Sequence, residues 1–306
     1  MKFAAYRGRR VLVTGGAGFI GARLCAALRG AGAKVFCLDA RAAGAGALKC
    51  DLSDEEAVKA AVGKAKPEIV FHLAALTDRD PAPALLGRML GTNLQGARNL
   101  LEALRERGCR AAVFSGTAEE YGRGPAPYRE AQPEDPVGPY SFSKACATQL
   151  ALFYHRVHGV PATVLRPTLA YGPGQPPTMF LPALLITLRR GEPFEMTAGG
   201  QTRDFVFVDD LVEAYLLAGL AKAAAGQVIN IGSGRPVKIK DLALLAARVT
   251  GRAGLLKMGA KPYRPAEIMN YFASAAKARR LLGWRPRTSL AAGLKLTAAG
   301  YKNDGN

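Results

Sequence analysis

The stretch VLVTGGAGFIGARLCAAL, residues 11–28, decides the fold. An apolar strand-like run stops at Gly15, and a helical pattern begins beyond Gly18 and Gly21. A strand that ends in a glycine turn and feeds a helix gathers free N–H groups and the positive end of the helix dipole at one point, which suits a pyrophosphate. The GxxGxxG spacing alone is a weak signal, because glycine also serves plain turns. Its context strengthens it. The next run, KVFCLD (34–39), ends in Asp39, at the distance from the loop expected of a carboxylate that accepts hydrogen bonds from an adenosine ribose. Such a carboxylate repels a 2′-phosphate, so NAD is expected over NADP; Arg41, two residues on, acts in the opposite sense. Asp51-Leu52, after a third run, either holds the adenine edge or caps the following helix.

Outward from this unit the same alternation continues. Strand-like runs at 9–15, 34–39, 48–52, 68–75 and 110–116 are separated by helical patterns near 21–32, 54–64 and 85–107. Runs this continuously apolar, with helices between them, predict a parallel sheet covered on both faces, a doubly wound α/β fold. GRGPAPYREAQPEDPVGP (122–139) reads as a loop delivering a helix from Tyr140 to about Gly159, followed by a strand over 162–172. Beyond YGPGQPP the texture changes to short segments and terminal helices. The expected division is a dinucleotide-binding domain over 1–172, with parts of 203–234 returning to it, and a smaller substrate lobe over 173–306.

Composition narrows the class. The 306 residues contain 49% hydrophobic residues, yet no apolar run is long enough to cross a bilayer. The five cysteines (Cys25, Cys37, Cys50, Cys109, Cys146) are scattered without a CxxC pair, and histidines number three. Neither a disulfide framework nor a metal site is expected, and a reducing cytoplasm fits. The net charge of +18 favours anionic partners, but Lys and Arg are spread singly or in short pairs, which argues against nucleic acid and for a solvated surface or a phosphate-bearing small molecule.

In GPYSFSKACATQ, Tyr140 and Lys144 stand four residues apart on a helix, hence on one face. An ammonium there favours the phenolate of Tyr140, allowing it to exchange a proton with a sugar hydroxyl as hydride moves to or from nicotinamide. Together with the glycine loop, HLAA (72–75) and SGT (115–117), this resembles the extended short-chain dehydrogenase/reductase family in its nucleotide-sugar epimerase/dehydratase branch. The likeness continues through GTNLQGARNLLEA, RPTLAYGPG, QTRDFVFVDD, NIGSG, RPAEI and LLGW, nearly the whole chain. The resemblance implies a Rossmann domain, Thr117 as the hydroxyl at the reacting oxygen, and Tyr140 and Lys144 as the acid/base pair. It places cofactor contacts on Gly15, Gly18, Phe19, Ile20, Gly21, Leu73, Ala74, Ala75, Asn93, Lys144 and Pro167. It implies a nucleotide-diphosphate sugar bound by Arg203 and Arg264, with Thr77 and Phe180 near its pocket, and a homodimer through the helices that include 85–107 and 140–158. Leu169 stands where the family commonly has an asparagine, which removes an amide donor toward the diphosphate.

Three reactions share this machinery: 4-epimerisation, reduction of a 4-keto-6-deoxysugar, and 4,6-dehydration. Dehydration needs further acid/base groups, and FSGTAEEYG (114–122) has Ala118 where one dehydratase type has an aspartate, while Thr117 and Glu119 match a second type. With NAD recycling implied by Asp39, epimerisation ranks first, the reductase second and the dehydratase third; Glu119 is the candidate further catalytic group. The non-enzymatic alternative is an idle Rossmann protein that senses a dinucleotide or binds RNA, which has no need of a tuned tyrosine.

Overall fold

The computed structural model describes residues 3–78, 80, 82–264 and 267–301. Pro265 and Ala266 of the RPAEI segment therefore lie outside the described residues. The main-sheet strands are β1 (Arg10–Thr14), β2 (Lys34–Leu38), β3 (Ala47–Leu48), β4 (Ile69–His72), β5 (Ala111–Ser115), β6 (Ala162–Pro167) and, after four shorter strands β7 (Leu169–Tyr171), β8 (Phe194–Met196), β9 (Thr202–Arg203) and β10 (Phe205–Phe207), β11 (Val228–Ile231). Their order is β3-β2-β1-β4-β5-β6-β11, every pair parallel. Strands β4 and β6 are buried on both faces, which is why they read as unbroken apolar runs rather than as alternation.

The helices are α1 (Phe19–Gly30), α2 (Glu55–Ala65), α3 (Ala84–Met89), α4 (Gly96–Arg107), α5 (Pro139–His158), α6 (Phe180–Arg189), α7 (Val208–Leu220), α8 (Ile239–Thr250), α9 (Ala276–Leu282) and α10 (Leu290–Gly300). Leu24, Leu28, Leu211, Tyr215 and Trp284, from α1, α7 and the α9 end, fill one face of the sheet. Val58, Val62, Leu100, Leu101 and Ala151, from α2, α4 and α5, fill the other. Each such aliphatic side chain, fully withdrawn from water, contributes on the order of 1.5–3 kcal/mol before the entropy of ordering is counted. A separate core joins α6, α8 and α10. The remaining short strands, β12 (Val237–Lys238), β13 (Leu256–Met258) and β14 (Asn270–Tyr271), form small sheets with β9 and β8 in the C-terminal lobe.

Three local expectations change. The run at 48–52 pairs only through Ala47–Leu48, because Cys50 and Leu52 are drawn into the α2/α4 core instead. The helix expected over 85–107 contains a π-helical stretch, Leu90–Gln95, whose extra residue per turn brings Asn93 into bonds with Leu76 and Ser143. The strand over 162–172 is two strands. Pro167 has no N–H to continue a ladder; Thr168 still bonds to Ile231, and Leu169 then donates to Asp204 and pairs into β10.

Strand order reverses between β1, whose next strand in sequence lies to one side, and β4 on the other. The crevice beyond their carboxyl ends is where an open α/β sheet accepts a ligand.

Candidate active site

The glycine loop lies in that crevice. Gly15 has φ +70°, and a Cβ on it would stand 2.6 Å from the Ala74 backbone nitrogen. A Cβ on Gly21 would come within 2.1 Å of the Gly15 carbonyl oxygen, so both positions require bare backbone. Gly18 is the N-cap of α1 and supplies no side-chain cap, leaving the N–H groups of Phe19, Ile20 and Gly21 without intrahelical acceptors. Asp39, at the end of β2, accepts from the Ala17 N–H at 3.2 Å and from the Arg41 N–H at 2.9 Å. Its carboxylate thus sits beside the loop, with the exposed Arg41 guanidinium 3.7 Å away. A dinucleotide fits: there is a cradle that any Cβ would fill, helix N–H groups at its end and a carboxylate at the neighbouring strand.

The opposite wall is the segment after β4. Leu73 N–H donates to the Thr14 carbonyl and Ala74 N–H to the Thr14 hydroxyl, holding Leu73, Ala74 and Ala75 along the loop. His72, buried beneath them, bonds through Nδ1 to Thr14 Oγ1 at 2.8 Å. Burial, reinforced by the nearby Lys144 ammonium, pushes its imidazole down to about 3, so His72 is neutral.

Asn93 secures this wall to α5. Its Oδ1 accepts from the Leu76 N–H at 2.7 Å, and its Nδ2 donates to the Leu76 carbonyl and to Ser143 Oγ. Ser143 Oγ donates in turn to the Tyr140 carbonyl at 2.8 Å. The Asn93 amide is therefore committed to joining the wall and the helix that carries Tyr140 and Lys144.

Tyr140 and Lys144 occupy the first turns of α5, which Pro139 opens at N1. Tyr140 is half-buried, whereas Lys144 is buried among His72, Phe114, Ser115, Gly116, Ala147, Thr148 and Val164, which line a small pocket around it. Burial pulls the Lys144 amine down to about 8, with the Glu120 carboxylate resisting. Thr117, buried at the carboxyl end of β5, caps the 3-10 turn Ala118–Tyr121: its Oγ1 accepts from the Glu119 N–H at 3.2 Å. With a lone pair so engaged, the hydroxyl proton is left to donate elsewhere. Helix α5 packs against this turn.

Other expected residues lie further out. Asp51 accepts from the Ser53 N–H and hydroxyl, both at 2.9 Å, and the cap of α2 falls to Asp54 rather than Asp51, since Asp54 accepts from the Ala57 N–H at 3.0 Å. Leu52 is buried with its carbonyl bonded by Asn99. Pro167 ends β6 opposite Ile231. Thr77 is exposed; Phe180 opens α6, edge-on to Phe194. Arg203 is tied to Glu267 and to the Thr202 and Ile268 carbonyls, and Arg264 lies exposed three residues before Glu267. Leu169 packs against an aromatic cluster of Tyr121, Tyr128 and Tyr271.

Two residues escape the sequence reading. Glu120, fully buried, turns inward rather than standing with Glu119, and bonds Arg166, itself buried within β6. The signal was available: an arginine inside an otherwise apolar strand, ATVLRP, demands a buried counter-charge. Among the described residues no group of three or more His, Cys, Asp and Glu could hold a metal, and no helix is long and apolar enough to cross a membrane.

Comparison with known proteins places this site in context. The family model described as the NAD dependent epimerase/dehydratase family matches residues 11–232. A UDP-glucose 4-epimerase of Mycolicibacterium smegmatis is 30% identical, with 96% of this chain and 99% of the relative aligned. A dTDP-glucose 4,6-dehydratase of Streptomyces niveus is 32% identical over 96% of this chain and 93% of the relative. Among solved structures, the UDP-glucose 4-epimerase of Thermotoga maritima with UDP-glucose superposes with a TM-score of 0.90 at 32% identity, covering 96% of this chain and 99% of that one.

Proposed function

The chain belongs to the NAD-dependent epimerase/dehydratase family, and from that premise we propose that it is a nucleotide-sugar 4-epimerase, acting at sugar C4 with Tyr140 as acid/base. Its cofactor is NAD, held by the Gly15–Gly21 cradle and by Asp39. Bound NAD supplies hydride acceptance and return. In this reading Tyr140 takes the proton of the C4 hydroxyl and gives it back, while the Lys144 ammonium one turn on favours the phenolate. Thr117 donates its hydroxyl proton to the reacting oxygen, oriented by the bond its Oγ1 accepts from Glu119 N–H. Arg203, held in place by Glu267, and Arg264 serve the diphosphate of the substrate. UDP- and dTDP-sugars are the substrates the relatives suggest.

The observation that carries epimerisation over dehydration is the fate of the turn 118–121. Dehydration needs a base at C5 and an acid at C6 in addition to the hydride step. Ala118, fully buried in the aromatic cluster, offers neither, and Glu120 is locked inward on Arg166. Within this turn that leaves Glu119 alone. The second reading, dehydration, is favoured by Glu119 itself, two residues after Thr117. The test is incubation of the NAD-loaded enzyme with UDP-glucose, UDP-galactose, dTDP-glucose and GDP-mannose, followed by mass spectrometry and NMR of the products. We expect interconversion of C4 epimers with unchanged mass, surviving Glu119→Gln. A product lighter by one water, abolished by Glu119→Gln, establishes the dehydratase, and an unchanged panel defeats both.

A homodimer through α4 and α5 belongs to the same proposal. Phe142, Phe153 and Val157 of α5 are exposed at 45%, 43% and 59%, aligned at helical spacing. Analytical ultracentrifugation is expected to show a dimer that Phe153→Glu with Val157→Glu converts to monomer; a monomeric wild type ends this part of the proposal.

A further inference from the structure

We infer that Glu120 is a positioning residue of the active site, fixing the Thr117 turn and supplying the buried negative charge that faces Lys144. This rests on the reading of Thr117, Tyr140 and Lys144 given above. Glu120 Oε1 accepts from the Thr117 N–H at 2.8 Å, which closes a capping box with the bond Thr117 Oγ1 accepts. Glu120 Oε2 accepts from Arg166 Nε and Nη2, each at 2.7 Å. The carboxylate is seated against bare backbone: a Cβ on Gly116 would stand 2.6 Å from Oε1. The SGT segment thus carries its glycine to admit this side chain.

The place of its charge gives Glu120 its second task. Arg166 has a second carboxylate, Glu134, on Nη2. Glu134 is the more exposed of the two, its side chain 25% accessible against 0% for Glu120, and Glu120 is the carboxylate that opposes the effect of burial on Lys144. An uncompensated buried charge costs several kcal/mol, so the Glu120 carboxylate favours protonated Lys144. The groups around Lys144 are Glu120 from the 3-10 turn, neutral His72 from β4, Thr148 from its own helix and Tyr140 one turn back; β5 and β6 face it with Phe114, Ser115, Gly116 and Val164, none charged. Burial pushes the Glu120 carboxyl up, and Arg166, the Thr117 N–H, Thr148 and Lys144 pull it back.

Lys144 loses its proton as pH rises through about 8. Removing the Glu120 charge lowers that point, because burial then acts unopposed. Glu120→Gln keeps the shape and an oxygen acceptor for the Thr117 N–H, while it removes the charge and replaces the oxygen facing Arg166 with an NH2 that cannot accept. The expected result is an alkaline limb of kcat/KM displaced downward by about one pH unit. The Lys144 Cε resonance of protein labelled with 13C-lysine, identified by its absence in Lys144→Arg, should titrate lower by the same amount. Glu134→Gln also removes a partner of Arg166 and is expected to leave both readouts in place. If Glu120→Gln and Glu134→Gln lower stability alike with neither readout displaced, Glu120 is only a fold-stabilising ion pair and the inference is overturned. Should the single variant fail to fold, Glu120→Gln with Arg166→Met, which removes both charges, carries the same expectation for the resonance. Failure of the underlying function shows differently, as full turnover in Tyr140→Phe.

Discussion

Tyr140→Phe is expected to lower kcat by about 10²–10⁴-fold, the range supplied by a positioned general acid or base, while leaving NAD content unchanged. Phenylalanine keeps the ring, and the bond that orders this turn runs from Ser143 Oγ to the Tyr140 backbone carbonyl, which the substitution preserves. The cradle at Gly15 and Gly21 and the carboxylate of Asp39 lie on other elements. Loss therefore falls on proton transfer rather than on cofactor binding, and it is read from turnover together with the NAD released on denaturation. Full turnover in the variant would show that another group moves the proton and would end the acid/base role proposed for Tyr140.

Arg166→Met is expected to destabilise the protein by about 3–5 kcal/mol, the cost of removing one partner from a buried ion pair. Arg166 is 1% exposed and Glu120 is 0% exposed, so the remaining carboxylate has no solvent to turn to. The guanidinium also lies over the Tyr121 ring, 4.6 Å from its centroid, and that contact is lost as well. Urea unfolding should show a lower midpoint with an unchanged slope, since the surface exposed on unfolding is the same. Adding Glu120→Gln to Arg166→Met should recover part of the loss, because the stranded charge disappears with its partner. A single variant as stable as the wild type would show that the Arg166–Glu120 pair contributes nothing to stability.

The two variants probe residues of opposite legibility. Tyr140 and Lys144 were found at four-residue spacing within one helix, and the glycine loop and Asp39 within one strand-turn-helix-strand unit. Such relations are local, because helical and strand periods convert sequence distance directly into direction. The parallel sheet followed from unbroken apolar runs for the same reason. By itself, then, the sequence determined the α/β class, the glycine turn beside Asp39, and the placing of Tyr140 and Lys144 on one face of one helix.

Only the tertiary structure decided what depends on partners distant in the chain. The strand read over 162–172 divides because Ile231 and Asp204, both from beyond it, claim Thr168 and Leu169 in turn. The helix over 85–107 carries a π-helical stretch where Asn93 meets Leu76 and, from 50 residues away, Ser143. In FSGTAEEYG, adjacent glutamates read alike, yet Glu120 is the one drawn inward, because Arg166 lies 46 residues away in the chain and 2.7 Å away in the fold. No local period records that meeting. A buried charge is stable only beside its counter-charge, and which residues come to share one low-dielectric interior is settled when the sheet and α5 close over them.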